Sequence, residues 1–281
     1  MLHIALLGRY DIRLNEEPIE LKLRPVQNLL AYLLLHRDKR HRREQLAGIL
    51  WPDYTEASAR KNLRNTVYRL RQAIGEEYLV ADRSSVAFNT EAAFWLDAAQ
   101  LEGVASAEEI EAIIQAVGLY QGELLPGYYE DWVLWERERL QALFERQMQG
   151  LLERLNAAGR WSESLTWAEH WIAHGQAPEA AYRALMLAHA AQGDRASMVQ
   201  AYRRGRRALE EGLGVAPGPE TERLYQDLLD DSGEKMSTPA IEEVPKSAAS
   251  RQSKRGVLRR PVTPIIGRQK EIDELQRLLE D

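Results

Sequence analysis

The chain has 281 residues, a formal net charge of −6 and no cysteine. The length allows about two domains. Absence of cysteine excludes a disulfide framework and thiolate metal sites, and the net acidity excludes a nonspecific basic coat for nucleic acid. No apolar run reaches the ~20 residues that a bilayer-spanning helix needs, and the start carries no signal-peptide pattern, so a cytoplasmic protein is expected.

From the N-terminus, LHIALLG, YDIRLN and IELKL read as three strands, the last from the alternation of Ile19, Leu21 and Leu23, with a turn at residues 15–18 before it. Residues 26–35 form an apolar helix that Pro25 can start. HRREQLAGILW (residues 41–51) reads as a short helix burying Leu46, Ile49 and Leu50, and Pro52 and Asp53 end it. Residues 55–75 then give the most informative helix of the chain. At about 100° per residue, Leu63, Val67, Leu70 and Ile74 share one narrow face, while Lys61, Arg64, Asn65, Tyr68, Arg69 and Gln72 occupy the other, with Arg60 and Arg71 at the borders. Cations neutralise phosphates, and Arg, Asn and Gln hydrogen-bond base edges. A short helix, a turn and a longer basic helix make a helix-turn-helix whose second helix enters the major groove. The runs at 78–81 and 86–89, separated by residues 82–85, form a hairpin that serves as a wing, with Arg83 at its tip.

The residues carry a family resemblance. An opening strand ending in LG, LLAYLLL, REQLAGILWPD and ARKNLRNTVYRLR stand in the order found in SARP-type regulators, across residues 2–71. The resemblance implies a winged helix-turn-helix of response-regulator type over residues 1–94, with the helix at 58–74 in the major groove and Arg83 in the wing. The candidate DNA contacts are Arg43, Arg60, Lys61, Arg64, Asn65, Tyr68, Arg69, Arg71 and Arg83.

Charge is divided along the chain. Residues 36–72 hold ten Lys/Arg against four Asp/Glu, and residues 98–230 hold twelve against twenty-one. One end is built to approach a polyanion and the other to stay away from it. Residues 95–230 read as helical throughout. Gly159 and Gly193 lie 34 residues apart, and at that offset Leu151 matches Leu185, Leu152 matches Met186, Ala157 matches Ala191 and Leu165 matches Val199. This is the period of tetratricopeptide helix pairs, which stack into a continuous core with a concave surface. QGELLPGYYEDWVLWERERL and the segment at 184–225 resemble the bacterial transcriptional activator domain of the same regulators, which implies contacts between protomers or with RNA polymerase. Trp132, Trp135, Trp161, Trp167 and Trp171 are expected to pack between helices. His170 and His174 are four apart, but no third metal ligand is placed by the sequence.

Residues 231–260 have the composition of a flexible linker. At 261–281, TPIIGRQKEIDELQRLLED resembles the entry to the nucleotide-binding domain of STAND-type ATPases (signal-transduction ATPases with numerous domains), without the phosphate loop that should follow. The fragment is therefore expected to carry no cofactor, ATP or ADP belonging to a longer parent. No G-x-S-x-G, H-E-x-x-H or Gly-rich phosphate loop is present, so no enzyme is expected. The fold class is mainly α with a small β component: a winged helix-turn-helix followed by a tetratricopeptide-like domain. The function expected is a sequence-specific regulator, an activator reading repeated half-sites in promoter DNA as a homodimer and contacting RNA polymerase, with no membrane partner. The competing class is a protein-interaction module whose tetratricopeptide-like domain binds a peptide or partner regulator, a reading that burial of Lys61, Arg64 and Asn65 against the helical half would favour.

Overall fold

Leu2, Ile4 and Ile12 alternate with more polar neighbours, and each is buried on the same side of a small sheet. Strand β1 (Leu2–Ala5) pairs antiparallel with β2 (Asp11–Leu14), Leu2 facing Leu14 and Ile4 facing Ile12. The turn is tighter than the sequence indicates. Asn15 and Glu16 both take positive φ, 50° and 71°, so the chain has already reversed when β3 (Glu17–Pro18) begins. The expected third strand at 19–23 is thus replaced by two residues upstream of it. Leu21 alone of its three alternating residues is fully buried, and Leu23 is exposed. The sheet is completed from a distance: β7 (Phe94–Leu96) pairs parallel with β1, giving the order β3-β2-β1-β7.

Helix α1 (Arg24–Leu35) follows, with Pro25 in its first turn, where a missing N–H costs nothing. Helix α2 (Arg43–Leu50) buries Leu46 and Ala47, whereas Ile49 and Leu50 are only partly covered. Helix α3 (Glu56–Ile74) starts from Thr55, whose side chain accepts from the Ser58 N–H. A 3₁₀ turn (Glu76–Tyr78) leads into the wing, β5 (Leu79–Ala81) and β6 (Ser85–Phe88). A two-residue strand, β4 (His41–Arg42), joins them in the order β4-β6-β5.

Helices α4 (Asp97–Gly103), α5 (Ile110–Val117), α6 (Asp131–Ala157), α7 (Trp161–His174), α8 (Glu179–Ala191), α9 (Arg195–Leu213) and α10 (Pro219–Glu234) make up the rest. The 34-residue repeat holds hydrogen bond by hydrogen bond. After α6, Gly159 N–H reaches Asn156 O (3.1 Å) and Arg160 N–H reaches Leu155 O (2.9 Å); after α8, Gly193 N–H reaches Ala190 O (3.0 Å) and Asp194 N–H reaches His189 O (2.9 Å). Each is a Schellman cap, and it needs the left-handed φ of 68° at Gly159 and 75° at Gly193. The matched pairs Leu151/Leu185 and Leu152/Met186 are buried alike. Trp132 and Trp171 pack inside, as expected, but Trp135 stands 73% exposed.

The computed structural model describes residues 1–104 and 109–234. The described residues all fall in one compact unit, and one continuous apolar core runs from Leu2 to Tyr202. The expected division at 94/95 therefore falls inside β7, and the two functional halves share their packing. The linker at 231–260, apart from the last turn of α10, and the ATPase-like segment at 261–281 lie outside the described residues.

Candidate nucleic-acid interface

The burial pattern of α3 follows from its sequence. Ala59, Leu63, Val67, Leu70 and Ile74 are covered by the core, joined by Thr66. This seam packs on α2 and α1, and it turns the other face to solvent. Lys61, Arg64, Asn65, Tyr68, Arg69 and Gln72 are all exposed. Tyr68, at 65% exposure, gains nothing from the core and is available to an external partner. Nineteen residues give the helix a length of roughly 28 Å, more than the width of a major groove.

The wing tip is a small rigid device. Asp82 Oδ1 accepts from Ser84 N (2.7 Å), Ser84 Oγ (2.8 Å) and Ser85 N (2.7 Å). These donors hold the carboxyl far below the ordinary aspartate range. The turn thereby presents exposed Arg83 outward.

Three of the expected contact arginines have work inside the protein. Arg43 Nε donates to Asp82 O at 2.8 Å, and Arg43 N donates to Ser84 O at 2.9 Å. Arg71 is half-buried and reaches Ala81 O with Nη2 at 3.5 Å. Arg60 pairs with Glu56 one turn earlier and with Glu44 Oε1 at 3.6 Å. Arg43 and Arg71 thus tie α2 and α3 to the wing, while Arg60 joins α3 to α2. Lys61, Arg64, Asn65, Tyr68, Arg69 and Arg83 remain turned to solvent. Arg43, Arg60, Arg64 and Arg83 meet around one open groove of about 610 Å³, beside Glu44 and Asp82. Four cations against two carboxylates leave that groove attractive to a phosphate.

Lys39, Arg40 and Arg42 are also exposed beside the wing sheet, Arg40 Nη1 lying 3.9 Å from Asp82 Oδ2. Sequence reading passes over them because β4 is two residues long and shows no periodicity. Among the described residues no group of three or more His, Asp and Glu is placed to hold a metal ion. The His174 ring instead bonds the His170 carbonyl at 2.9 Å. Among the described residues no helix is long and apolar enough to cross a membrane.

The fold thus joins a winged helix-turn-helix with an exposed basic helix to a continuous array of stacked helix pairs. The family model of the bacterial transcriptional activator domain matches residues 91–229. The chain is 29% identical over 231 residues to the regulatory protein AfsR of Streptomyces griseus, covering 77% of this chain and 23% of that protein. It is 28% identical over 245 residues to AfsR of Streptomyces coelicolor, covering 82% and 24%. The chain spans about a quarter of the length of these relatives. Its fold is similar to that of EmbR from Mycobacterium tuberculosis, solved in complex with a low affinity phosphopeptide, with a TM-score of 0.65 at 20% identity over 82% of this chain and 65% of that one. Together these support a likeness to the SARP-type transcriptional regulators, with the bacterial transcriptional activator domain over residues 91–229.

Proposed function

We propose that this protein binds specific sites in double-stranded promoter DNA and activates transcription from them in the cytoplasm. The exposed face of α3 carries the reading. Lys61, Arg64, Asn65, Tyr68 and Arg69 point away from the core with no partner of their own among the described residues, as a helix bound for a groove requires. Burial of Lys61, Arg64 and Asn65 against the helical half would have favoured a protein-interaction module, and all three are exposed. Arg64 and Asn65 are assigned to base edges, Lys61 and Arg69 to phosphates, and Arg83 with Arg43 and Arg60 to the backbone beside the wing.

The helical half is assigned to protomer or RNA polymerase contacts, and two protomers to repeated half-sites. In a longer parent, the ATPase-like segment at 261–281 would couple nucleotide state to exposure of the DNA-binding unit. The test is selection of bound genomic DNA by the purified chain and by a Lys61→Ala, Arg64→Ala, Arg69→Ala variant. The expected result is an enriched motif whose half-site spacing reports protomer arrangement, lost in the variant. A folded chain that enriches no sequence at low salt would remove the reading.

A further inference from the structure

A second surface lies between the α2–α3 turn and the start of α6. Trp51 and Tyr54 lie far in sequence from Tyr129 and Trp135, yet the fold gathers the two pairs around one open groove of about 750 Å³. Tyr54 is 58% exposed, and Tyr129 and Trp135 are each 73% exposed. Single exposed apolar residues need no explanation, but three aromatic rings on one concavity form the kind of anchor site found at protein interfaces. The α2 side adds aliphatic surface from Ile49 and Leu50.

The charge of the groove decides what fits it. Asp53, Glu130 and Asp131 line it, and no Lys or Arg does. Glu130 is already satisfied by Arg24 Nε at 3.1 Å and Asn28 Nδ2 at 2.7 Å, which hold its carboxyl low against the opposing effect of burial. Asp53 and Asp131 are exposed, and among the described residues neither is paired with a cation. In the wall, the indole N–H of Trp132 is buried without an acceptor among the described residues. Aromatic faces beside unpaired carboxylates attract cations twice over, through the ring quadrupole and through direct charge.

We propose that this groove docks a segment of another protein that carries lysine or arginine beside an aliphatic anchor. The cation lies over Trp135 or Tyr129 and pairs with Asp131 or Asp53, while the aliphatic side chain covers Ile49 and Trp51. Trp51 and Tyr54 also border Asn65 and Arg69 of α3, whereas Tyr129 and Trp135 do not, so Trp135 reports docking apart from DNA binding.

The probe is a short fluorescein-labelled peptide alternating arginine with leucine, with a twin carrying glutamate in place of arginine. Each is titrated with the full 281-residue chain and followed by fluorescence anisotropy. The basic peptide should bind at least about tenfold tighter than its acidic twin. Trp135→Ala, which removes no charge, should weaken it by about fivefold, as should Tyr54→Ala on the opposite wall. Both positions are exposed, so melting curves should match the parent chain. Lys61→Ala should bind the peptide unchanged while losing affinity for DNA. Equal binding of the two peptides, or undiminished binding by both aromatic variants, overturns the proposal. So does sedimentation showing that the chain pairs with itself through this face and that Trp135→Ala abolishes the pairing.

Discussion

The Asp97 carboxylate, at the first position of α4, accepts the backbone N–H of Leu6 at 2.7 Å and that of Leu7 at 2.8 Å. It thereby fastens the head of the helical half to the end of β1, where parallel pairing with β7 has already brought the two together. The site is buried, and burial raises the carboxyl pKa while the three backbone donors oppose it. Asp97→Ala leaves three buried donors, the N–H groups of Leu6, Leu7 and Ala98, without this acceptor, at a cost of about 1–3 kcal/mol each. Asp97→Asn keeps one acceptor oxygen and turns an amide donor toward the Ala98 N–H, so it should fall between the two. Urea unfolding of the three proteins gives this order; a variant as stable as the parent would remove Asp97 from the junction.

DNA affinity should respond differently to Arg64 and Lys61. If Arg64 contacts a base edge, Arg64→Ala loses about 1–3 kcal/mol on the selected site and blurs preference at one position. Lys61→Ala should weaken every sequence to a similar degree and reduce the log–log salt slope by roughly 0.9. Anisotropy titrations at several salt concentrations on a matched and a mismatched duplex separate the two. Similar losses on both duplexes for Arg64→Ala would reassign it to phosphate, and no loss would remove it from the interface.

The parts of this fold that were legible in the sequence are those with a long period. The α3 seam at Leu63, Val67, Leu70 and Ile74 and the repeat at Gly159 and Gly193 each recur often enough to announce themselves. The residues at 19–23 alternate as a strand should, but the ladder with β2 is used up at Glu17 and Pro18 and ends with the Ile19 N–H bond to Ile12 O at 2.8 Å. β4 and β7 escape because two or three residues carry no pattern and their partners are distant in sequence. The same locality explains the arginines. A helical wheel shows which side Arg60 and Arg71 occupy, but not that Glu44 and Ala81 wait there.

The aim of Arg83 depends on Asp82 rather than on the arginine alone. Asp82→Ala removes the acceptor for three donors of Ser84 and Ser85 and frees the turn that presents Arg83. The tip is exposed, so global stability should change little. DNA affinity should fall roughly tenfold, close to the loss from Arg83→Ala, because either change forfeits one positioned charge-assisted contact. The double variant should then lose little more than either single one. Additive losses in that cycle would show that Asp82 does not act through Arg83.

Stability should also fall as the medium is acidified below neutrality, through the aromatic cluster that joins α1 to α6. The His36 ring lies 3.7 Å from Glu136 Oε1 and 4.4 Å from the Tyr32 ring, with His41 beyond. Burial lowers the His36 pKa from its usual value; Glu136 opposes this, and Lys39, His41 and Arg139 reinforce it. The native ring therefore stays neutral in a range where the unfolded ring has begun to take a proton. A group with a depressed native pKa binds more protons unfolded, so its contribution is full above about pH 6.5 and is lost as pH falls toward the native value. His170, also lowered by burial, adds a loss of the same sign. The melting temperature should accordingly drop between about pH 7.5 and 5.5, and His36→Gln should make that drop shallower by removing one of the two contributions. An unchanged slope in His36→Gln would assign the pH dependence to His170 and clear the α1–α6 junction of any part in it.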